Sequence, residues 1–473
     1  MKKVISLFII LSLFFIIILL LPDNFPIITG IDSIAWEVIT LFRYYLAKCY
    51  FTNISYIWYP YSHPFYTFVS GIFYNIFSFL PVWKQMFLYN FGLNIISSFL
   101  LYEIVKDILK NRLISIVFVI LFIIQLPITI WAFSGFAYNT GIFLLVAGTF
   151  VYYFKGKNWG ILFFAFLPLV RTELAIFMLA PFLSSFKRKN SVISIISLVS
   201  PFLFYYVVWS YYKYDDVFYI FFIHTYLSHY DNVKLARYFT ATRTIKAFFY
   251  YNPIFWIGLF GIFLKEFPKK IKIIALNSLL ILLITYSAKT IIPGFIFAYI
   301  GFIVIFNKFI LTLKYRYIFV MFLIFSQLLY FGFYEIVPES GDTVIPYKQT
   351  AKYQWINNNY NNFDYLVYTM RNGYFLWNDK ECKLSHKIIF VRGNGYGTRI
   401  MKVLLPSGKM LSDDNLNKFI EKNRVISVSS LESLTTPVIK YSLKDGDIEI
   451  LEINGEKGLI IYKINKPFSH VKN

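Results

Sequence analysis

The 473-residue chain is 58% hydrophobic and only 15% charged, which excludes an ordinary soluble protein of this length: its charged surface would be too sparse to cover the apolar area. The formal net charge of +21 raises the question of nucleic acid, but the placement of the charge argues against it. The basic clusters, such as Lys187-Arg188-Lys189 and Lys269-Lys270, fill short gaps between apolar runs, where lysine and arginine mark cytoplasmic loops.

Runs of about 18 or more apolar residues read as membrane spans, and Val4–Leu21 and Arg316–Tyr334 are of this kind. Met1-Lys2-Lys3 before the first run resembles a signal peptide. The run is long, however, and no small-residue cleavage pattern follows, so a retained first helix (4–22) with a cytoplasmic N-terminus is expected. Residues 23–85 then make a long, aromatic-rich outer loop. Its two amphipathic segments, Ile34–Tyr50 and Pro64–Leu80, suit the outer interface. Read as a full span, the second would invert everything after it; the interfacial reading makes the charges agree.

Further spans are expected at 86–105, 113–131 and 138–154, with Lys106, Lys110, Arg112, Lys155 and Lys157 inside. Residues 159–185 read as a re-entrant pair of short helices with Arg171 and Glu173 at the outer tip. A span at 190–211 leads to a long outer loop, 212–247, and spans at 248–266, 271–288, 291–307 and 317–335 follow. The fold class is therefore an α-helical polytopic membrane protein of about eleven crossings plus interfacial helices. Residues 1–335 form the multi-span domain, and 336–473 form a small extracytoplasmic α/β domain.

In that terminal domain a helix is expected over Tyr347–Asn359, strands over Asp364–Met370 and Lys387–Arg392, and a helix capped by Ser412 through Asn423. Ile448–Ile453 and Gly458–Ile464 flank Asn454-Gly455, a hairpin signal. Cys49 and Cys382 belong to no metal or redox motif. Both fall outside the membrane, which leaves a disulfide open, but free thiols are the favoured expectation.

Asp32, just beyond the first span, is placed to cap the following helix or to accept a proton from a substrate hydroxyl, and the two roles are compatible. His63 opens Tyr61-Ser62-His63-Pro64-Phe65-Tyr66, and on its own reads as an interfacial aromatic. Arg171 and Glu173 are functional residues by their near-membrane position, or a mutual structural pair. Arg237 and Arg243 share the second long loop with His224, His229 and Asp231, a setting in which charge is often simply solvated. Lys289 heads Lys289-Thr290-Ile291-Ile292-Pro293 and is also read as a snorkelling lysine.

Taken in order, these features resemble the GT-C superfamily of polytopic glycosyltransferases, in particular its aminoarabinose-transferase, protein O-mannosyltransferase and arabinofuranosyltransferase-like members. The resemblance covers residues 1–335. It rests on the early Asp32, on His63-Pro64-Phe65-Tyr66 where the family has Pro-Leu-Tyr, on Ser134-Gly135 after the third span, and on Arg171-Thr172-Glu173, similar to Arg-Pro-Glu. Trp355-Ile356 through Asn359 looks like the Trp-Ile-x-x-Asn helix of some terminal domains. Ser33 stands where many members have a second acid, and Ala137 where a Glu is expected. These departures weaken a divalent-cation assignment, because such ions want several oxygen ligands, although the assignment stays open.

The resemblance implies an inverting transfer of sugar from a polyprenyl-phosphate donor to a glycan, lipid or protein acceptor on the extracytoplasmic side. Asp32 would be the base, with Arg171, Glu173, Lys289, Arg243, Arg237 and His63 as candidate substrate- or phosphate-binding residues. The competing readings are a ligase or polymerase of lipid-linked glycans, dependent on loop 212–247, and a transporter or flippase. Transporters favour broken or polar helices at the midplane and internal repeats, and no repeat is detected here.

Overall fold

The computed structural model describes residues 2–21, 44–53, 63–123, 137–186, 191–217, 252–284, 295–310, 318, 321, 353–368, 379–393, 400–411, 413–430, 443–454 and 459–466. Its helices, in chain order, are α1 (Lys2–Leu20), α2 (Pro64–Ile76), α3 (Val82–Leu109), α4 (Arg112–Ile123), α5 (Tyr138–Gly148), α6 (Ile161–Ala165), α7 (Leu167–Val170) and α8 (Leu179–Ser185). They continue as α9 (Ser191–Leu203), α10 (Trp209–Tyr214), α11 (Asn252–Phe263), α12 (Lys269–Ile284), α13 (Phe295–Ile305) and α14 (Asp413–Lys422). Two compact units, each discontinuous in sequence, divide the chain. The first is Met1–Gly30, Ser78–Phe218 and Asn232–Val337; the second is Ile31–Phe77, Tyr219–Asp231 and Pro338–Asn473.

The first unit is helical in its described residues. Two of its helices are long and apolar enough to cross a membrane: α3, with 28 residues and mean hydropathy 1.3, and the continuous Ser191–Tyr212, with 22 residues and mean hydropathy 2.0. The second reverses the pattern of a water-soluble bundle. Val192, Ile193, Ile196 and Tyr212 are 61–78% exposed, whereas Ser194 and Ser210 are buried. In α3, likewise, Asn90, Asn94, Ser97 and Ser98 are turned inward.

Helices α11 and α13 approach until their backbones touch. A Cβ on Gly258 would overlap the carbonyl of Ala298, and one on Gly261 or Gly301 would overlap the facing helix in the same way. Small residues permit such an approach, which van der Waals packing then rewards even without water to drive it. Between Asn158 and Ser185 the chain forms the short helical pieces expected there. Arg171, with extended backbone angles (φ −157, ψ 131), ends α7 and opens a 3₁₀ segment, Thr172–Met178. This irregular backbone is partly satisfied from outside, because Asn277 of α12 donates to the Ile176 carbonyl at 3.0 Å.

The second unit is built on a seven-stranded mixed sheet of β1 (Tyr365–Tyr368), β2 (Ile388–Gly393), β3 (Ile400–Leu404), β4 (Met410–Leu411), β5 (Val425–Ser430), β6 (Ile448–Asn454) and β7 (Leu459–Ile464). The spatial order is β4-β3-β2-β1-β5-β7-β6, with central β1 parallel to both β2 and β5 and the other pairs antiparallel. The amphipathic α14 supplies Leu416 and Ile420 to a core with Val367, Ile389, Val425, Ile448, Ile460 and Ile464. The expected hairpin forms between β6 and β7. A helix occupies 353–358, with Ile356 fully buried and the Trp355 indole donating to Glu452.

Residues 44–53 of the early loop act as a strap in this unit, and the cysteines correct the sequence expectation. Cys49 and Cys382, expected as free thiols, form a disulfide with Cα atoms 5.5 Å apart. Their separation of 333 residues hides the pairing from any spacing motif. On its other side the strap meets α2: a Cβ on Gly71 would overlap the Ala47 carbonyl, the rings of Tyr44 and Tyr74 are 4.9 Å apart, and Asn75 donates to the Lys48 carbonyl at 2.9 Å.

Two stability outcomes follow. Cys382→Ser should cost roughly 2–4 kcal/mol, read as a lower unfolding midpoint of the second unit. Reducing agent should do the same to the native protein and nothing further to the variant. Gly301→Ala should lower the midpoint of the detergent-solubilised protein by about 1–3 kcal/mol through overpacking. Gly92→Ala should leave it unchanged or higher, since a Cβ there meets nothing.

Candidate functional site

Arg171 is the one proposed site residue whose side-chain partner is described in the helical unit. It sits where α7 stops, half-buried, and its guanidinium donates to the hydroxyl of Tyr138 at 2.6 Å while lying 4.8 Å from the centre of that ring. Tyr138 is the first residue of α5 and is itself buried, so the cation is held against a fixed aromatic acceptor. Next to it, Thr172 and Tyr206 pair through their hydroxyls at 3.4 Å. A guanidinium fixed among phenol and alcohol hydroxyls, at a break in an apolar helical unit, has the charge and the donors that an anionic group would need.

Asn139, the residue after Tyr138, adds to this. Its side chain is fully buried, and neither its amide nitrogen nor its oxygen has a hydrogen-bond partner among the described residues. A primary amide left unsatisfied in an apolar interior is costly, and one at a ligand site is satisfied when the ligand arrives. Asn94 of α3 is in the same state. Sequence reasoning passed over Tyr138 and Asn139, although they directly follow the Ser134-Gly135-Phe136-Ala137 stretch that it singled out. Nothing in the spacing ties residue 138 to residue 171.

The other expected site residues fall as follows. Glu173 lies in the 3₁₀ segment Thr172–Met178, and its side chain is outside the described residues, as are Asp32, Arg237, Arg243 and Lys289 altogether. His63 is in the second unit, where it precedes α2 as its N-cap with a left-handed backbone (φ 48), and its carbonyl accepts the Thr67 N–H at 2.9 Å. Pro64 follows at the first helical position, where its missing N–H costs nothing. Among the described residues no three His, Cys, Asp or Glu side chains gather as metal ligands would, so no step is assigned to a divalent cation.

The second unit holds a polar node that was not expected. Asp379, 2% exposed, accepts from the Tyr45 hydroxyl at 2.5 Å, from the Lys383 and Leu384 N–H groups at 3.0 and 2.9 Å, and from Tyr353 at 3.5 Å. Burial pushes its carboxyl above the ordinary value of 3.8, against the opposing pull of those hydrogen bonds, the Tyr45 one first. Burial, then the charges of Asp379 and Glu381, drive Tyr353 up to about 12. Close by in sequence, Asn53 donates to the Ser385 and Pro406 carbonyls at 2.8 and 3.2 Å.

No family model, curated protein or solved structure matches the chain.

A raised carboxyl pKa means that the folded state binds the Asp379 proton more tightly than the unfolded one. The stability it contributes is fully present below 3.8 and is lost as pH rises through the raised value. The unfolding midpoint of the native protein should therefore fall relative to that of Asp379→Asn as the buffer is taken from about pH 4 to about pH 7. Parallel curves would show that the group titrates normally.

Proposed function

We propose that the protein is a multi-pass membrane glycosyltransferase that moves a sugar from a polyprenyl-phosphate donor to an acceptor hydroxyl on the extracytoplasmic side, with inversion. The observation that carries this reading is Arg171 held on Tyr138 at the helix break, because a lipid-phosphate donor needs a fixed cation inside an otherwise apolar unit. On this reading the helical unit crosses the bilayer about eleven times, with its basic clusters cytoplasmic. The outward apolar face of Ser191–Tyr212 then meets lipid.

The disulfide supports the same topology from an independent direction. Disulfides persist in oxidising compartments and are rare in the cytosol. A Cys49–Cys382 bond therefore accords with the first loop and the terminal domain both being extracytoplasmic. The positive-inside reading reached that arrangement without the cysteines.

Chemically, the Asp32 carboxylate takes the proton of the acceptor hydroxyl, and the oxygen attacks the anomeric carbon from the face opposite the phosphate. The anomeric carbon–oxygen bond breaks, its electron pair leaves with the polyprenyl phosphate, and Arg171 holds the charge that develops there. Asn139 has the donor and acceptor capacity to fix the donor's headgroup.

A second reading, a transporter or flippase of a lipid-linked glycan, is favoured by one observation: the inward Asn90, Asn94 and Ser98 along α3, with the Asn94 amide unsatisfied. The two separate in proteoliposomes supplied with a labelled polyprenyl-phosphate sugar. Transfer should appear in the native protein, vanish in Asp32→Asn, and fall about 10²–10³-fold in Arg171→Ala. Retained transfer in Asp32→Asn overturns the base assignment. Movement of label across the bilayer without a new glycosidic bond supports the transporter.

A further inference from the structure

The second unit contains a recess of about 330 Å³ lined by Asn53, Tyr365, His386, Leu405, Pro406 and Ser407. Four separate chain segments meet there: the strap, strand β1, the 3₁₀ turn Lys383–His386, and the turn that joins β3 to β4. Its walls are fixed before anything binds. The Asn53 amide spans two of them through the Ser385 and Pro406 carbonyls. The Leu405–Lys409 turn is closed by backbone bonds of 2.8 and 2.9 Å, with Gly408 at φ +82. The Cys49–Cys382 bond and the Asp379 node then pin the strap that carries Asn53.

The chemistry of the lining selects a ligand class. Among the described residues it contains no lysine, arginine, aspartate or glutamate, and His386 is the one group there that can take up a charge. It offers instead the phenol ring of Tyr365, an imidazole, a hydroxyl, and the apolar faces of Leu405 and Pro406, with the Asn53 amide N–H committed to the walls. His386 and Ser407 are exposed, while Tyr365 is half-buried with its ring 4.8 Å from that of Phe419. Aromatic and apolar faces beside neutral groups that both donate and accept complement a molecule with C–H faces and a rim of hydroxyls. A lipid tail would find only Leu405, Pro406 and the Tyr365 ring as apolar contacts among the described lining residues. The volume is at the lower end of small-molecule pockets, about 300–1,000 Å³.

We infer that this recess is a binding subsite for a neutral pyranose sugar of the acceptor, formed jointly by the early strap and the terminal sheet. The inference rests on the proposed function only for the word acceptor. Recognition of the sugar itself is a property of the recess and is measured without turnover.

The test uses the full chain in detergent micelles and saturation-transfer NMR with methyl glycosides of glucose, galactose, mannose and N-acetylglucosamine. At least one should receive saturation from the native protein. His386→Ala should raise its half-saturation concentration about tenfold, the effect of losing one good contact. Ser407→Trp, which fills the recess from an exposed turn, should abolish the signal with the unfolding midpoint unchanged. Arg171→Ala should leave it intact, which separates the recess from the donor site. Absence of saturation transfer for all four glycosides, or its persistence in Ser407→Trp, overturns the inference. Sugar binding in a protein that transfers nothing from a lipid carrier would uphold the recess and refute the transferase.

Discussion

The bond between Cys49 and Cys382 is the constraint on which the arrangement of the second unit depends. Without it, the strap at 44–53 would be part of a loop between helices, and the terminal sheet would be an independent appendage. With it, the buried Tyr45–Asp379 contact and the Asn53 clamp become possible, because a tethered segment has already lost much of the entropy that opposes such contacts. The order of effects matters. A desolvated carboxylate with a raised pKa is an unfavourable element taken alone, and it is tolerated because four donors converge on it and the covalent link keeps them there.

The helical unit follows a different logic. In Ser191–Tyr212 apolar side chains face outward and serines inward, whereas α13 buries an almost wholly apolar set, and burial alone does not explain how closely α11 and α13 approach. Glycines that let two backbones touch do, through close van der Waals contact. Arg171 is fixed in the same unit by the hydroxyl and the ring of Tyr138, a buried neutral group that orients the guanidinium at the helix break.

Much of this was legible in the sequence, and the parts that were not share a cause. The apolar runs located α3 and the helix at 191, the proline after His63 located the start of α2, and alternation with an Asn-Gly turn located the β6–β7 hairpin. The break at Arg171 was legible because a charge inside an apolar stretch is costly and has to mark something. By contrast β3, β4 and β5 were not read: β4 has two residues, and β3 and β5 interleave apolar residues with lysine or serine, so that their strand preference depends on context. The pairs Tyr138–Arg171, Tyr45–Asp379 and Cys49–Cys382 were invisible because no local pattern encodes a contact between residues that far apart. The expectation of free thiols failed for the same reason: it weighed motif spacing, and a single long-range bond has none.

The discontinuity of the two units gives the proposed chemistry a division of labour. The strap at 44–53 and His63 belong with the sheet and its recess, whereas Arg171 and Tyr138 belong with the helices. The donor, a lipid phosphate, calls for an apolar setting with one fixed cation, which a helical unit with outward apolar faces supplies. The acceptor, a hydroxylated molecule arriving through water, calls for neutral polar and aromatic groups, which a sheet domain supplies. On the proposed reading the base must meet the acceptor hydroxyl, and in the chain Asp32 stands twelve residues before the strap begins at Tyr44.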